Sequence, residues 1–289
     1  MTRMVIHADD VGMCHGANQA FVELARLGTI GAGSVMVPCP WFPEIAAIAS
    51  GDDTLDVGVH LTLNAEQQGY RWAPISGPST AGGLTDEHGY CWSTVAEVRA
   101  NAHPDAVEAE WRAQIDRAID AGIDVSHLDA HMGSSLAPEW CDRYIALGVE
   151  YGVPVLITET LGVYGPSNHL SDVSEAQFAP FVEQAKAEGM PVFGRVLETD
   201  FGRPRGAAHD YPGMLTSAGE ELVYCAFHPC RPGPGEVEII EPDAHHVRVD
   251  EYELFHTDDW KTWLGEQPIE LIGMRELRDD WRRARRPEA

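Results

Sequence analysis

The sequence predicts an α/β fold in which a parallel sheet, covered by helices, closes or nearly closes into a barrel. Three observations carry that expectation. Apolar runs of strand length alternate with runs of helical periodicity along most of the 289 residues. About seven βα units follow one another, the pattern of a parallel sheet with its helices outside. The length also suits one α/β barrel, which takes about 250 residues. An open doubly wound sheet is the alternative that the same alternation allows. A single domain spanning 1–289 is expected, with no internal repeat and no low-complexity run.

The expected strands are Met4–Ala8, Ser34–Val37, Asp56–Leu61, Val125–Leu128, Val153–Ile157, Val192–Leu197, Leu222–Phe227 and Ile269–Ile272. The first helix is marked by Phe21, Leu24 and Ala25 within Ala17–Leu27. A clear amphipathic helix carries Trp111, Ile115, Ala118 and Ile119 and is ended by Gly122, which suits the left-handed position after a helix. Pro138 stands where a helix start tolerates it, ahead of Trp140, Tyr144, Ile145 and Leu147. Phe178, Phe181, Val182 and Ala185 mark another helix, with Gly189 and Pro191 leading out of it.

Three long connections interrupt the alternation. Residues 64–101, rich in Gly, Pro and polar side chains, carry Trp72, Tyr90 and Trp92 and read as a loop insertion over the active face. Residues 159–174 form a shorter connection, and residues 199–217 hold Arg203, Arg205 and His209. All three follow strands, so in a barrel they overhang its C-terminal face. The stretch from Arg275 onward begins as a helix, and residues 278–289 are expected to be a charged tail.

Composition narrows the function. The formal net charge is −26, which argues against nucleic acid and anionic membrane surfaces and fits a neutral substrate or one that becomes cationic. No run of about 18 apolar residues offers a membrane span. The first strand starts almost at Met1, so no signal peptide is expected and a cytoplasmic location is inferred. The six cysteines show no Cys-x-x-Cys pairing and read as free packing thiols. Self-association is open.

Chemistry-bearing residues gather at strand ends. Asp9 and Asp10 end the first strand, just before Gly12. His60 ends the third, His127, Asp129 and His131 the fourth, and His228, before Pro229, a later one. Four separate strands thus bring acids and imidazoles to one rim, where α/β barrels place their chemistry. One carboxylate with two imidazoles suits a divalent transition metal and leaves positions open for water and substrate. Plainer readings stand beside this. Asp10 could be a helix N-cap, His60 a half-buried histidine and His228 a turn residue. In His127-Leu-Asp-Ala-His131 the period-two spacing aims three side chains one way only while the strand lasts. Asp129 could then be the carboxylate that holds a ligand imidazole from behind.

These residues, in this order, resemble the YdjC-like carbohydrate deacetylases. The resemblance rests on Ala8-Asp-Asp-Val-Gly12 with Gly16 and Asn18, on Gly58-Val-His60 and on His127-Leu-Asp-Ala-His131. It continues through His228-Pro229, Arg248 with Glu251, and Ile269-Glu-Leu-Ile272. It runs from near the first residue to about Leu277. The resemblance implies a TIM-like barrel of roughly seven strands and a divalent metal on Asp10, His60 and His131. Zinc is the metal expected first, with Mg, Mn, Co or Ni as alternatives. The resemblance also implies Asp9 as general base and His228 as a catalytic histidine near the leaving group. Val11, His7, Cys230 and the Met-Gly-Ser-Ser after His131 depart from the family's usual residues and bear on the substrate.

The activity so implied is a hydrolase that removes an N-acetyl group from an amino-sugar-containing saccharide, giving acetate and an amine. Trp72, Tyr90 and Trp92 are candidates to stack on sugar rings or simply to pack the loop, and Arg203 is a candidate grip for an anionic group. The rival readings are metal-dependent hydrolysis of another amide or ester, a metal-independent glycoside hydrolase using Glu159 and Glu198, and a non-catalytic saccharide-binding barrel.

Overall fold

The computed structural model describes residues 1–77, 82–164, 169–219, 221–233 and 235–285. Its strands are β1 (Thr2–Val11), β2 (Ala32–Val35), β3 (Val57–Leu61), β4 (Leu128–Ala130), β5 (Arg195–Glu198), β6 (Val223–Phe227) and β7 (Ile269–Leu271). All pairings are parallel, in the order β4-β3-β2-β1-β6-β5. β7 pairs with the first residues of β1 (Thr2↔Ile269), on the edge whose later part pairs with β2 (His7↔Ala32). β1 is central because Met4, Val5 and Ile6 are apolar on both faces and fully buried, as a parallel strand covered on both sides requires.

The regular sheet is a half-barrel, open between β4 and β5. The expected strand over Val153–Ile157 does not form. That stretch makes only isolated bridges, Leu128↔Val155 toward β4 and Thr158↔Phe193 just ahead of β5. Pro154 supplies one physical reason, since it has no N–H to give a ladder. Its carbonyl still accepts from Leu128 N–H at 3.0 Å, and Phe193 N–H donates to Ile157 O at 2.9 Å.

The helices marked by periodicity form, with differences in detail, and others appear that periodicity left unmarked, among them Phe42–Ala49, His245–Phe255 and Asp258–Glu266. The helix Pro104–Asp120 starts on its proline and buries Trp111, Ile115 and Ala118, but Ile119 is exposed. The helix Cys141–Tyr151 begins three residues after Pro138 and buries Tyr144, Ile145 and Leu147. His15–Leu27 ends at Gly28, whose φ of 78° lets its N–H reach back to Leu24 and Ala25. The C-terminal stretch begins as the expected helix. Met274–Ala284 is a helix that buries Arg278 and Trp281. Arg278 pairs with Asp124 at 2.6 Å, and the Trp281 indole donates to Glu188 O at 2.8 Å. Residues 286–289 lie outside the described residues.

The insertion after β3 is ordered where described. A bridge Asn64↔Trp92 and a bridge Thr85↔Cys91 tie it down, and Trp72 and Cys91 join a second apolar cluster with Met13, Cys14, Met36 and Cys230. All six cysteines are buried free thiols. No helix among the described residues is long and apolar enough to cross a membrane.

Candidate metal centre and active site

The rim is built by an irregularity in β1. Strand alternation would send Asp9 and Asp10 to opposite faces. The register of β1 against β2 shifts between Ala8 and Val11, and Asp10 takes a φ of 58°, rare for a residue with a side chain. Both carboxylates consequently turn into the same buried rim. Gly12, at φ 93°, turns the chain away, and its N–H donates to Asn18 Oδ1 at 2.7 Å. Asp10 is not a helix cap: Cys14 holds the N-cap position of His15–Leu27.

Asp10, His60 and His131 each bring a ligand atom within 4.8 Å of the other two. Asp10 Oδ1 lies 3.1 Å from His131 Nδ1 and 3.4 Å from His60 Nε2. His60 Nδ1 donates to Asp129 Oδ1 at 3.0 Å, so the ring turns its other nitrogen toward Asp10. Asp129 also accepts from Ser34 and Tyr224, both at 2.8 Å. His131 Nε2 meets Glu66 Oε2 at 2.8 Å, and Arg248 Nη1 meets Asp10 Oδ2 at 2.8 Å.

The electrostatics favour positive charge at this point. Burial works against ionised Asp10, but Arg248 and His131 outweigh it and hold the carboxyl well below the usual range. Burial likewise opposes charge on His131, yet Glu66 and Asp10 push it up to about 9. His60 is also raised, against its burial, by Asp129 and Asp10. A pocket that stabilises protons on two imidazoles between carboxylates is one a divalent cation fits, taking the same nitrogens. Two other buried triplets, His7–His127–Asp129 and Asp9–His60–Asp129, have comparable spacing. In the first, His7 and His127 already satisfy each other and Asp9. The second needs the Asp129 carboxylate that supports His60 from behind.

Asp9 stands beside the cluster. Its Oδ1 meets His7 Nδ1 at 2.6 Å, and its Oδ2 lies 3.9 Å from His228 Nε2. Burial raises its carboxyl well above the ordinary value. His228 is lowered to about 3 by burial, and its Nδ1 is a buried atom with no hydrogen-bond partner among the described residues. Its backbone N–H donates to Glu251 Oε2 at 2.6 Å, and its ring stands edge-on to Phe201, 4.8 Å between centroids.

The other sequence candidates divide. His127 and Asp129 lie in the interior behind the rim, bonded to His7 and His60. Trp72 reaches the centre, edge-on to His131 with centroids 6.2 Å apart. Trp92 instead packs against the main core and donates to Gly83 O at 2.8 Å. Tyr90 is exposed and holds the Arg71 guanidinium over its ring. Arg203 is turned inward, bonding Ala207 O and Asp250, so its charge is already paired within the protein. Arg205 bonds His245. Glu159 is exposed, whereas Glu198 is half-buried and raised to about 8 by burial and by the charge of Asp9.

Sequence reasoning missed Glu66, Ser34 and Tyr224, and gave Arg248 no role. Ser34 and Tyr224 lie on expected strands, so a search for polar residues on inward faces would have found them. Glu66 lies in an aperiodic loop that offers no such signal.

A parallel α/β half-barrel with a buried His/Asp centre at its rim defines the class: a barrel-type protein whose site can hold a divalent cation. Within it, the YdjC-like protein family matches residues 3–266, and the chain belongs to that family. It is 30% identical over 274 residues to a carbohydrate deacetylase of Thermus thermophilus, covering 94% of each chain. It is 29% identical over 277 residues to a carbohydrate deacetylase of Brevibacillus brevis, covering 95% of this chain and 99% of that one. Among solved structures, an Enterococcus faecalis protein named for cellobiose-phosphate cleavage superimposes with a TM-score of 0.72 at 21% identity, over 96% of this chain and 98% of that one. That likeness is one of fold.

Proposed function

We propose that this chain is a metal-dependent hydrolase that removes an N-acetyl group from an amino-sugar-containing saccharide. The observation that carries the reading is the convergence of Asp10, His60 and His131 beside a separate buried carboxylate, Asp9, in a chain whose relatives are named carbohydrate deacetylases. Asp10, His60 and His131 would hold the ion, zinc before Mn, Co, Ni or Mg given two imidazoles. When bound, a divalent ion supplies Lewis-acid polarisation of the acetyl carbonyl and lowers the pKa of water.

The chain's own residues do the rest. Asp129 keeps His60 turned outward, and Arg248 anchors one oxygen of Asp10 so that the other faces the imidazoles. Asp9 accepts the proton of the attacking water on Oδ2, the oxygen that His7 leaves free. His228 protonates the departing amine. Burial keeps its ring neutral beforehand, so it must acquire that proton during turnover, and Asp9 Oδ2 is the neighbour able to supply it. Trp72, buried and edge-on to His131, packs behind that imidazole.

The deciding experiment is an acetate-release screen over N-acetylated mono- and disaccharides, with chelator and with metals added back. Acetate that appears only with metal supports the reading. New reducing ends that form without acetate and survive chelation would favour a glycoside hydrolase, and sugar binding without any cleavage would favour a binding barrel.

A further inference from the structure

We propose that Ser126, His127 and His7 form a directed hydrogen-bond chain that holds Asp9 by Oδ1 and reserves Oδ2 as its proton-exchanging oxygen. His7 and His127 are thereby positioning residues for Asp9. This deepens the deacetylase reading and rests on it for the role of Asp9.

Three contacts make the chain. Ser126 Oγ lies 2.8 Å from His127 Nδ1, His127 Nε2 lies 2.9 Å from His7 Nε2, and His7 Nδ1 lies 2.6 Å from Asp9 Oδ1. Ser126, His127 and His7 are completely buried. Each contact needs one proton, and a neutral imidazole carries only one N–H. Both rings are neutral, since burial lowers each to about 4. Two proton orders are then self-consistent. In one, Ser126 donates to His127, His127 to His7, and His7 to Asp9. The reverse order requires an extra proton on Asp9 Oδ1. It also leaves the Ser126 hydroxyl hydrogen without an acceptor among the described residues, in a site sealed from water. Stranding a buried donor is costly, so the chain points toward Asp9.

The rings are fixed as well as bonded. His7 stacks on Tyr224 with centroids 4.9 Å apart at 29°. His127 lies so close over Gly58 that a Cβ there would stand 2.4 Å from the ring. A clamped donor on Oδ1 sets the rotation of the Asp9 carboxylate and leaves Oδ2 toward His228.

The test uses the full-length protein with ¹⁵N-labelled imidazoles. Long-range ¹H–¹⁵N spectra at neutral pH are expected to show His7 protonated on Nδ1 alone and His127 on Nε2 alone. His7 carrying its proton on Nε2, or on both nitrogens, overturns the proposal. In kinetics with N,N′-diacetylchitobiose as probe, His7→Phe is expected to lower kcat ~100-fold with KM and bound metal little changed. His7→Asn, which keeps one donor toward Asp9, should recover most of that loss. Equal losses in both variants, or an unchanged kcat in His7→Phe, count against it. If the deacetylase reading itself is wrong, the unaltered protein releases no acetate either, and the ring tautomers decide alone.

Discussion

His60 is held between two carboxylates: its Nδ1 donates to Asp129 Oδ1 at 3.0 Å while its Nε2 faces Asp10 Oδ1 at 3.4 Å. The imidazole therefore has one orientation and one tautomer available for a cation. Asp129→Asn replaces the acceptor by an amide that can rotate to donate. It should weaken zinc binding by ~10–100-fold, read by competition with a chromophoric chelator. Unchanged affinity would show that His60 needs no support from behind.

Asp9 and Asp10 are neighbours in sequence with separate partners, and their substitutions should separate too. Asp9→Asn is expected to retain metal and lose ~10²–10⁴ in kcat. His60→Ala and His131→Ala are expected to lose the metal itself. Metal analysis of the purified variants beside the acetate assay checks both. Full occupancy in the two histidine variants would remove them from the ligand set.

The buried histidine pair makes stability depend on pH in a definite direction. Burial depresses His127 to about 4, below the ~6.5 of an unfolded histidine. Between those values the unfolded chain binds the extra proton, so this contribution is complete above pH ~6.5 and is lost as pH falls toward 4. For one ring it amounts to roughly 3 kcal/mol. Urea unfolding from pH 7.5 to 4.5 should therefore show a steeper loss in the parent protein than in His127→Gln, which cannot titrate. Parallel curves would mean that the ring is charged in the native state.

Gly58 is required by the ring above it, not by its backbone angles. Gly58→Ala places a methyl 2.4 Å from His127 and should destabilise by about 1–3 kcal/mol, seen as a lowered Tm. An unchanged Tm would show that the His127 ring can move aside.

Much of this was readable from residue order. β1, β3 and β6 are apolar runs that end on Asp9–Asp10, His60 and His228, and the structure brings those ends to one rim. The limits have physical causes. Periodicity marked Val153–Ile157 as a strand, but a proline and a lack of continuous partners reduce it to isolated bridges. Alternation could not foresee that Asp10 adopts a left-handed angle and joins Asp9 on the same side. Glu66 and Trp72 approach His131 through a loop whose path no local pattern encodes. Arg203 looked available because charge in a loop is usually solvated, yet Asp250, distant in sequence, draws it inward.

The pairing of β1 carries a consequence for biosynthesis. β1 is made long before β6 and β7, which pair with its two edges and lie at 223–227 and 269–271. The strand bearing Asp9 and Asp10 therefore waits with unmet backbone groups until residues 223–271 have been made. Contacts of such large sequence separation fold slowly and leave an exposed edge meanwhile. Chaperone capture of the nascent β1 segment, and sensitivity of yield to truncation before residue 269, follow from that order of synthesis.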